Sequence, residues 1–445
     1  MANVTMEMMG KDMVMLAVLR QRNFALLWFG QLISLTGDYV LIVALPFYTY
    51  QLTGSVLATG VMFLVQALPG LFLGSLAGVF VDRWDRRWTM IASDLLRAGV
   101  LLFLLLARSR DLVWIIYAVA FTEQLISLFF IPAKGAIIPN LVEEQHLMAA
   151  NSLNSTSDAI TRLVGPPLGG ALLALLGLSS TVFIDSASYL VSAVMILLIS
   201  MPARSLLAGE APAVDQKEEV VQKGEAGMLV TLAGVWREWL DGLRLVIHER
   251  ILLTLFVAGA IIMLSQGIIN VLIVVFVKAI LHGDASTFGL LITFQGIGML
   301  AGAVLVGQLG KRLKPAYLLA LGTMPAGIAV LAIVNVANIV LTLALITVVG
   351  VLVVSFFITE QTLLQSAVAD EYRGRVLGAY GTTSSLFYIT GIGCGSVLGG
   401  LLGVVGALDI AGALFALAGV VALLMLRGID VSAAGQPGEA VIEQG

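Results

Sequence analysis

Apolar runs about as long as a bilayer is thick follow one another through this 445-residue chain. Crossing about 30 Å of hydrocarbon as a helix takes about 20 mostly apolar residues. Such runs lie near 24–50, 55–81, 88–107, 112–133, 152–176, 180–201, 251–280, 286–309, 316–336, 339–366, 377–402 and 405–426. Backbone groups in lipid must be satisfied within a helix or a closed barrel. The runs are continuous and lack the alternating ten-residue segments of a barrel, so the predicted class is all-α and polytopic, with about twelve spans. With 59% hydrophobic and 12% charged residues, the composition lies far from that of soluble domains. The opening MANVTMEMMGKDM lacks a signal peptide's basic start, short apolar core and small-residue end, so the first span is expected to stay. The single cysteine, Cys394, excludes an internal disulfide and reads as a small packing residue.

Charge in the short loops predicts orientation. With a cytoplasmic N-terminus, the inner side collects Arg20, Arg22, Arg83, Arg86, Arg87, Lys311, Arg312, Lys314, Arg373, Arg375 and Arg427, whereas the outer loops hold Arg108 and Arg110. Both termini are then expected to be cytoplasmic; the expected location of this multi-pass protein is a prokaryotic inner membrane.

The chain also repeats itself. A shift of about 229 positions lays Gly60 over Gly289, Gln66 over Gln295, Gly78 over Gly307 and Arg83 over Arg312. The expected plan is a six-helix half at 1–201, a cytoplasmic linker at 202–250, a second six-helix half at 251–427 and a cytoplasmic tail at 428–445. The linker is polar, carrying DQKEEVVQKGEAG. After it, Leu229, Leu232, Trp236, Leu240, Leu243 and Ile247 recur at helical spacing, as in an amphipathic helix lying on the membrane surface.

Six-plus-six spans, the basic turn GVFVDRWDRR after span two and its degraded copy GQLGKR after span eight resemble the major facilitator superfamily. LTGDYVLIVALPFYTYQLTGS, IIPNLVEEQHLMAANSLNS, GPPLGG, DGLRLVIHERILL and EYRGRVLGAYG are similar to its branch of macrolide-efflux and enterobactin-exporter proteins. The resemblance implies that the first turn latches the cytoplasmic helix ends. Gly78, Asp82, Arg83 and Arg86 would form that latch, with Asp82 at a helix N-terminus facing a partner. Arg87 reads as a topology determinant that touches lipid phosphates. The second copy has Lys311 where the acid would fall, so a symmetric latch is not expected.

In span five, GPPLGG supplies Gly165, Pro166, Gly169 and Gly170, a hinge or close-packing element. The resemblance ties this motif to proton-driven exporters. The other half has GSVLGG, Gly395 to Gly400, which keeps the glycines without the prolines.

Ionisable groups in hydrocarbon are costly and face a cavity or a partner. At 1.5 Å per residue, Asp38 lies about 21 Å into span one and Glu123 about 16 Å into span four, both near the midplane. They are the proton-coupling candidates. Gln31 and Ser34 share a helical face with Asp38, and Ser127 shares one with Glu123, as polar stripes toward water. The resemblance places spans one, four, seven and ten around the cavity, where Gln266, Asn270 and Glu360 would complete the substrate site. Asp158 and Arg162, one turn apart, read as a structural ion pair. Asp94, Arg97 and Asp185 read as packing or gating elements near span ends. His146, His248 and His282 are scattered, so no metal site or catalytic triad is predicted. No phosphate loop is present to support ATP drive.

The sequence therefore predicts a non-enzymatic secondary transporter that exports amphipathic or hydrophobic small molecules of drug, macrolide or siderophore type, a multidrug-resistance profile. It would work by proton-coupled alternating access. No cofactor, metal or nucleic-acid partner is expected; the partners are substrate, protons and lipid, and the protein is expected to be a monomer. An uptake symporter or lipid flippase of the same fold, and a transporter-like sensor or scaffold, are the alternatives.

Overall fold

The computed structural model describes residues 17–81, 83–200, 239–240, 242–247, 249–309, 313–368 and 370–426. Its long helices are α1 (Arg22–Thr53), α2 (Val56–Val81), α3 (Arg86–Leu102), α4 (Val113–Ile137) and α5 (Leu147–Leu197), followed by α6 (Arg250–Ala279), α7 (Ala285–Leu309), α8 (Pro315–Val336), α9 (Ile339–Ser366), α10 (Asp370–Leu401) and α11 (Gly403–Met425). A 3-10 turn, Phe103–Leu106, prolongs α3. Helix α5 is two spans, because Gly177 leaves the helix at φ 74°, ψ 176°. With that break, the eleven helices account for the twelve expected spans.

Polarity is arranged for lipid. Trp114, Leu175, Val304 and Val340 are each at least 60% exposed, whereas Asp94, Asp185, Ser192 and Thr254 are fully buried. A soluble protein hides its apolar faces; here they form the outer surface, and the interior carries the polar groups.

The chain divides into two compact units. Unit 1 comprises residues 1–212 with 283–293, and unit 2 comprises 213–282 with 294–445. Within unit 1, α1 packs along α5, α2 against α4, and α3 against both α4 and α5. Within unit 2, α6 packs against α10 and α11, and α8 against α9 and α11.

Missing side chains set the closest approaches, as expected where van der Waals packing must hold helices together in lipid. A Cβ on Gly165 would lie 2.3 Å from Tyr39 Cβ, and one on Gly169 would lie 2.6 Å from the Cα and carbonyl oxygen of Val40. A Cβ on Gly170 would meet the Ala285 carbonyl oxygen at 2.3 Å. In unit 2, Gly391 and Gly395 of α10 meet the backbones of Leu264 and Ile268 on α6 in the same way. GPPLGG is thus a packing surface. Within α5 the break from helical dihedrals falls at Gly177, eleven residues beyond Pro166.

One expectation changes here. Asp158 and Arg162 do not pair: among the described residues no ion pair within 4.0 Å joins them. The Arg162 guanidinium instead donates from Nε to the Tyr39 hydroxyl at 3.0 Å, and Asp158 acts on Lys134 of α4. Of the amphipathic stretch, Leu229, Leu232 and Trp236 lie outside the described residues, while Trp239, Leu240 and 242–247 are helical. This part packs on α10, with Ile247 exposed. Trp239 Nε1 donates to Thr383 Oγ1 at 3.0 Å, a Cβ on Gly242 would lie 2.5 Å from Ala379 Cβ, and Val246 is buried.

Candidate functional site

The basic turn after α2 works through helix ends. Asp85 is the N-cap of α3, its carboxylate accepting from the Trp88 amide at 2.8 Å. Arg86 donates to the Ala136 carbonyl at 3.0 Å, in the last turn of α4. Arg87 donates to Ile196 and Leu197 carbonyls at 3.2 and 2.5 Å, at the end of α5. A cation there adds a charged donor to carbonyls of the last turn and complements the negative helix end. Arg87 is therefore a helix-end clamp, beyond the topological role assigned to it from sequence. Gly78 lies within α2 and Arg83 is exposed. Asp82, the proposed latch acid, lies outside the described residues.

The interior of unit 1 assembles a polar cluster around the two proton candidates. The Tyr189 hydroxyl donates to Asp38 Oδ1 at very short range and lies 3.1 Å from Glu123 Oε1. Three spans thereby meet at one oxygen: α1 with Asp38, α4 with Glu123 and the second span of α5 with Tyr189. A phenol has one hydrogen to donate. The contact to the second carboxyl is a hydrogen bond when that carboxyl carries a proton and donates it to the phenol oxygen.

Arg97 of α3, 2% exposed, lies beneath this bridge. Its Nη2 is 2.6 Å from the fully buried Asp94 and its Nη1 is 3.9 Å from Asp38 Oδ2. The guanidinium carbon stacks 4.3 Å over the Tyr189 ring and 4.7 Å from the Phe130 centroid. These are desolvated cation–π contacts that fix the plane of the guanidinium. Asp185 is fully buried, its Oδ1 accepting from Ser188 Oγ at 3.1 Å. It presses against α1 where Gly37 makes room, since a Cβ there would lie 1.9 Å from Oδ1. Asp38, Asp94, Glu123 and Asp185 all act on Arg97, and Lys134 acts on Asp38.

Asp38 keeps 27% of its side chain exposed, and Glu123 and Ser127 are half-buried. Gln31 and Ser34 are not turned toward water: they are 3% and 2% exposed, and Gln31 Nε2 donates to Ser192 Oγ at 3.3 Å. Their face of α1 is the one packed on α5. Gln266, Asn270 and Glu360 belong to unit 2. Gln266 is half-buried, Asn270 Nδ2 donates to the Tyr388 hydroxyl at 3.0 Å, and Glu360 lies at a cavity on α9.

Sequence reasoning missed Tyr189, which connects the two acids, and set aside Asp94, Arg97 and Asp185 as span-end elements. A signal was present. Asp185, Ser188, Tyr189 and Ser192 recur at i, i+3, i+4 and i+7, a polar stripe along a largely apolar span.

The chain is 27% identical over 412 residues to an uncharacterized MFS-type transporter, YfiS, of Bacillus subtilis (strain 168), covering 91% of this chain and 93% of that protein. It is 24% identical over 368 residues to macrolide efflux protein A of Streptococcus pyogenes, covering 82% and 86% of the two chains. A bacterial homologue of the iron transporter ferroportin, solved in an inward-facing state, superposes with a TM-score of 0.71 at 18% identity, covering 92% of this chain and 99% of that one. That likeness carries the fold. The transmembrane secretion effector family matches residues 13–436, and this chain, a membrane transporter and not an enzyme, belongs to that family within the major facilitator superfamily.

Proposed function

We propose that this transporter exports amphipathic or hydrophobic small molecules from a prokaryotic cell in exchange for protons, by alternating access. The observation that carries the reading is the bridge in which one Tyr189 hydroxyl serves both Asp38 and Glu123. A site with two carboxyls and one shared hydrogen has two hydrogen-bonded arrangements that differ by a proton, which is what coupling requires. Five acids, Asp38, Asp94, Glu123, Asp158 and Asp185, share the two cations Arg97 and Lys134, and exchangeable protons balance the surplus. The efflux named for the streptococcal relative supports the outward direction.

In this reading the proton gradient replaces any cofactor, and the transporter acts as a monomer in the inner membrane. Both termini and the 202–250 linker face the cytoplasm; a reporter that is active outside when fused at the linker would overturn that orientation. The decisive experiment is Asp38→Asn in proteoliposomes driven only by a pH difference. The variant is expected to bind substrate but not to concentrate it, and Glu123→Gln to do the same more weakly. An Asp38→Asn protein that still accumulates substrate against its gradient would leave Asp38 a structural acid.

A further inference from the structure

Unit 2 holds a buried acid of its own, in a setting opposite to that of unit 1. Glu360 of α9, 4% exposed, lines a cavity of about 550 Å³ with Met263 of α6, Phe357 and Gln361 of α9, and Tyr380 and Ser384 of α10. Its Oε1 and the Tyr380 hydroxyl converge over Gly259, where a Cβ would lie 2.8 Å from the first and 2.5 Å from the second. Oε1 and Ser384 Oγ are both buried without a hydrogen-bond partner. Among the described residues no Lys, Arg or His pairs with Glu360, and Tyr380 is the neighbour that acts on it. The acids of unit 1 have Arg97; this one has an open cavity.

We propose that this cavity binds the cationic centre of a lipophilic monocation, a protonated amine or quaternary ammonium, with Glu360 as its counter-ion. A buried carboxylate without a counter-charge is costly even where Tyr380 bonds it, and a cation that brings its own charge removes that cost when it enters. The Tyr380 ring, held edge-on by Phe256 at 5.3 Å between centroids, and Phe357 beside the acid supply the aromatic faces that attract such a cation. Met263 and Ile358 offer apolar surface to the rest of the molecule. The volume lies within the range of small-molecule sites, about 300–1,000 Å³. One acid selects one positive charge. The proposal rests on the exporter reading for its physiological meaning and names the substrate class; substrate recognition then belongs to unit 2 and proton handling to unit 1.

The test is equilibrium binding to the purified full-length protein in lipid nanodiscs, without any gradient. The probes are tetraphenylphosphonium, whose charge is fixed at every pH, and triphenylphosphine oxide, of similar shape but neutral. The parent and Asp38→Asn are expected to bind the cation alike, and Glu360→Gln to bind it at least tenfold more weakly with unchanged affinity for the neutral probe. Equal cation affinity in Glu360→Gln and parent, or no saturable cation binding by the parent, overturns the proposal. A second measurement needs no variant: carbodiimide labelling of Glu360, read by peptide mass spectrometry, should be slowed by the cation and not by the neutral probe. Labelling that the cation leaves unchanged overturns it as well. Because no gradient is applied, intact binding with absent export would count against the exporter reading alone.

Discussion

Replacing Arg97 by Met removes the cation at the centre of the unit 1 cluster while keeping its approximate length. Asp94, fully buried, then loses its partner at 2.6 Å, and the stacks over Tyr189 and Phe130 are lost. Breaking a buried pair by deleting one member costs about 3–5 kcal/mol, because the other charge remains. At about 2–4 °C per kcal/mol, the midpoint of heat-induced loss of folded protein should fall by about 10 °C. Asp94→Asn combined with Arg97→Met removes both charges together. It should recover about half of that loss, so the coupling in a double-mutant cycle is about 2 kcal/mol plus whatever Asp94→Asn costs alone. Arg97→Lys keeps the charge but not the planar stack and should lose about 1–2 kcal/mol. The assay is the monodisperse fraction recovered on size exclusion after heating in detergent, with the parent, the double variant and the three single variants Arg97→Met, Asp94→Asn and Arg97→Lys measured together. If the double variant were as unstable as the sum of its single variants, the two charges would be independent and the cluster would not be a unit.

Gly169→Ala places a Cβ 2.6 Å from Val40 backbone atoms that cannot move aside, and should cost about 1–3 kcal/mol in the same heating assay. Gly99→Ala, with nothing within 4 Å, is its control, and equal loss in the two would refute close packing at Gly169. Arg87→Gln gives up the charged bonds to the Ile196 and Leu197 carbonyls and should lose about 1 kcal/mol, read as earlier trypsin cleavage near the end of α5. Unchanged cleavage would return Arg87 to a purely topological role. Tyr189→Phe deletes one oxygen and both contacts to the acids; it should retain substrate binding yet lose pH-driven accumulation, and unimpaired accumulation would show that the bridge has no part in coupling.

Much of the fold was legible because length and hydropathy are intrinsic to each segment: the expected span at 339–366 is α9, and that at 286–309 is α7 less one residue. What lay beyond the sequence was the direction each polar face takes. In water an apolar stripe marks the inside of a helix, but in lipid nearly every face is apolar and the stripe carries little information. Asp38 and Glu123 stood out because a charge at mid-span is expensive wherever it points. Gln31 and Ser34, on the same face, were read as opening to water, whereas α5 closes over them. Tyr189 was overlooked because an aromatic residue in a span signals nothing alone; its meaning came from two acids on other helices. Arg97 was set aside as a packing or gating element near a span end, although it is the tenth of the twenty residues of the expected span 88–107 and sits well inside α3.

The break at Gly177 bears on how the chain enters a membrane at all. Its dihedrals, φ 74° and ψ 176°, fall in a region open essentially to glycine, and they join the two spans of α5 without an intervening loop. The same device returns between α10 and α11, where Gly403 adopts φ 76° one residue after Leu402. Between Ala171 and Phe183, and again between Gly399 and Ala407, the chain carries no ionisable side chain. Each of these hairpins can therefore be threaded through the insertion machinery without dragging a charge across the hydrocarbon. A tag, protease site or glycosylation sequon inserted at either tip would replace a one-glycine turn with a loop, so surface engineering of this transporter belongs in its other connections.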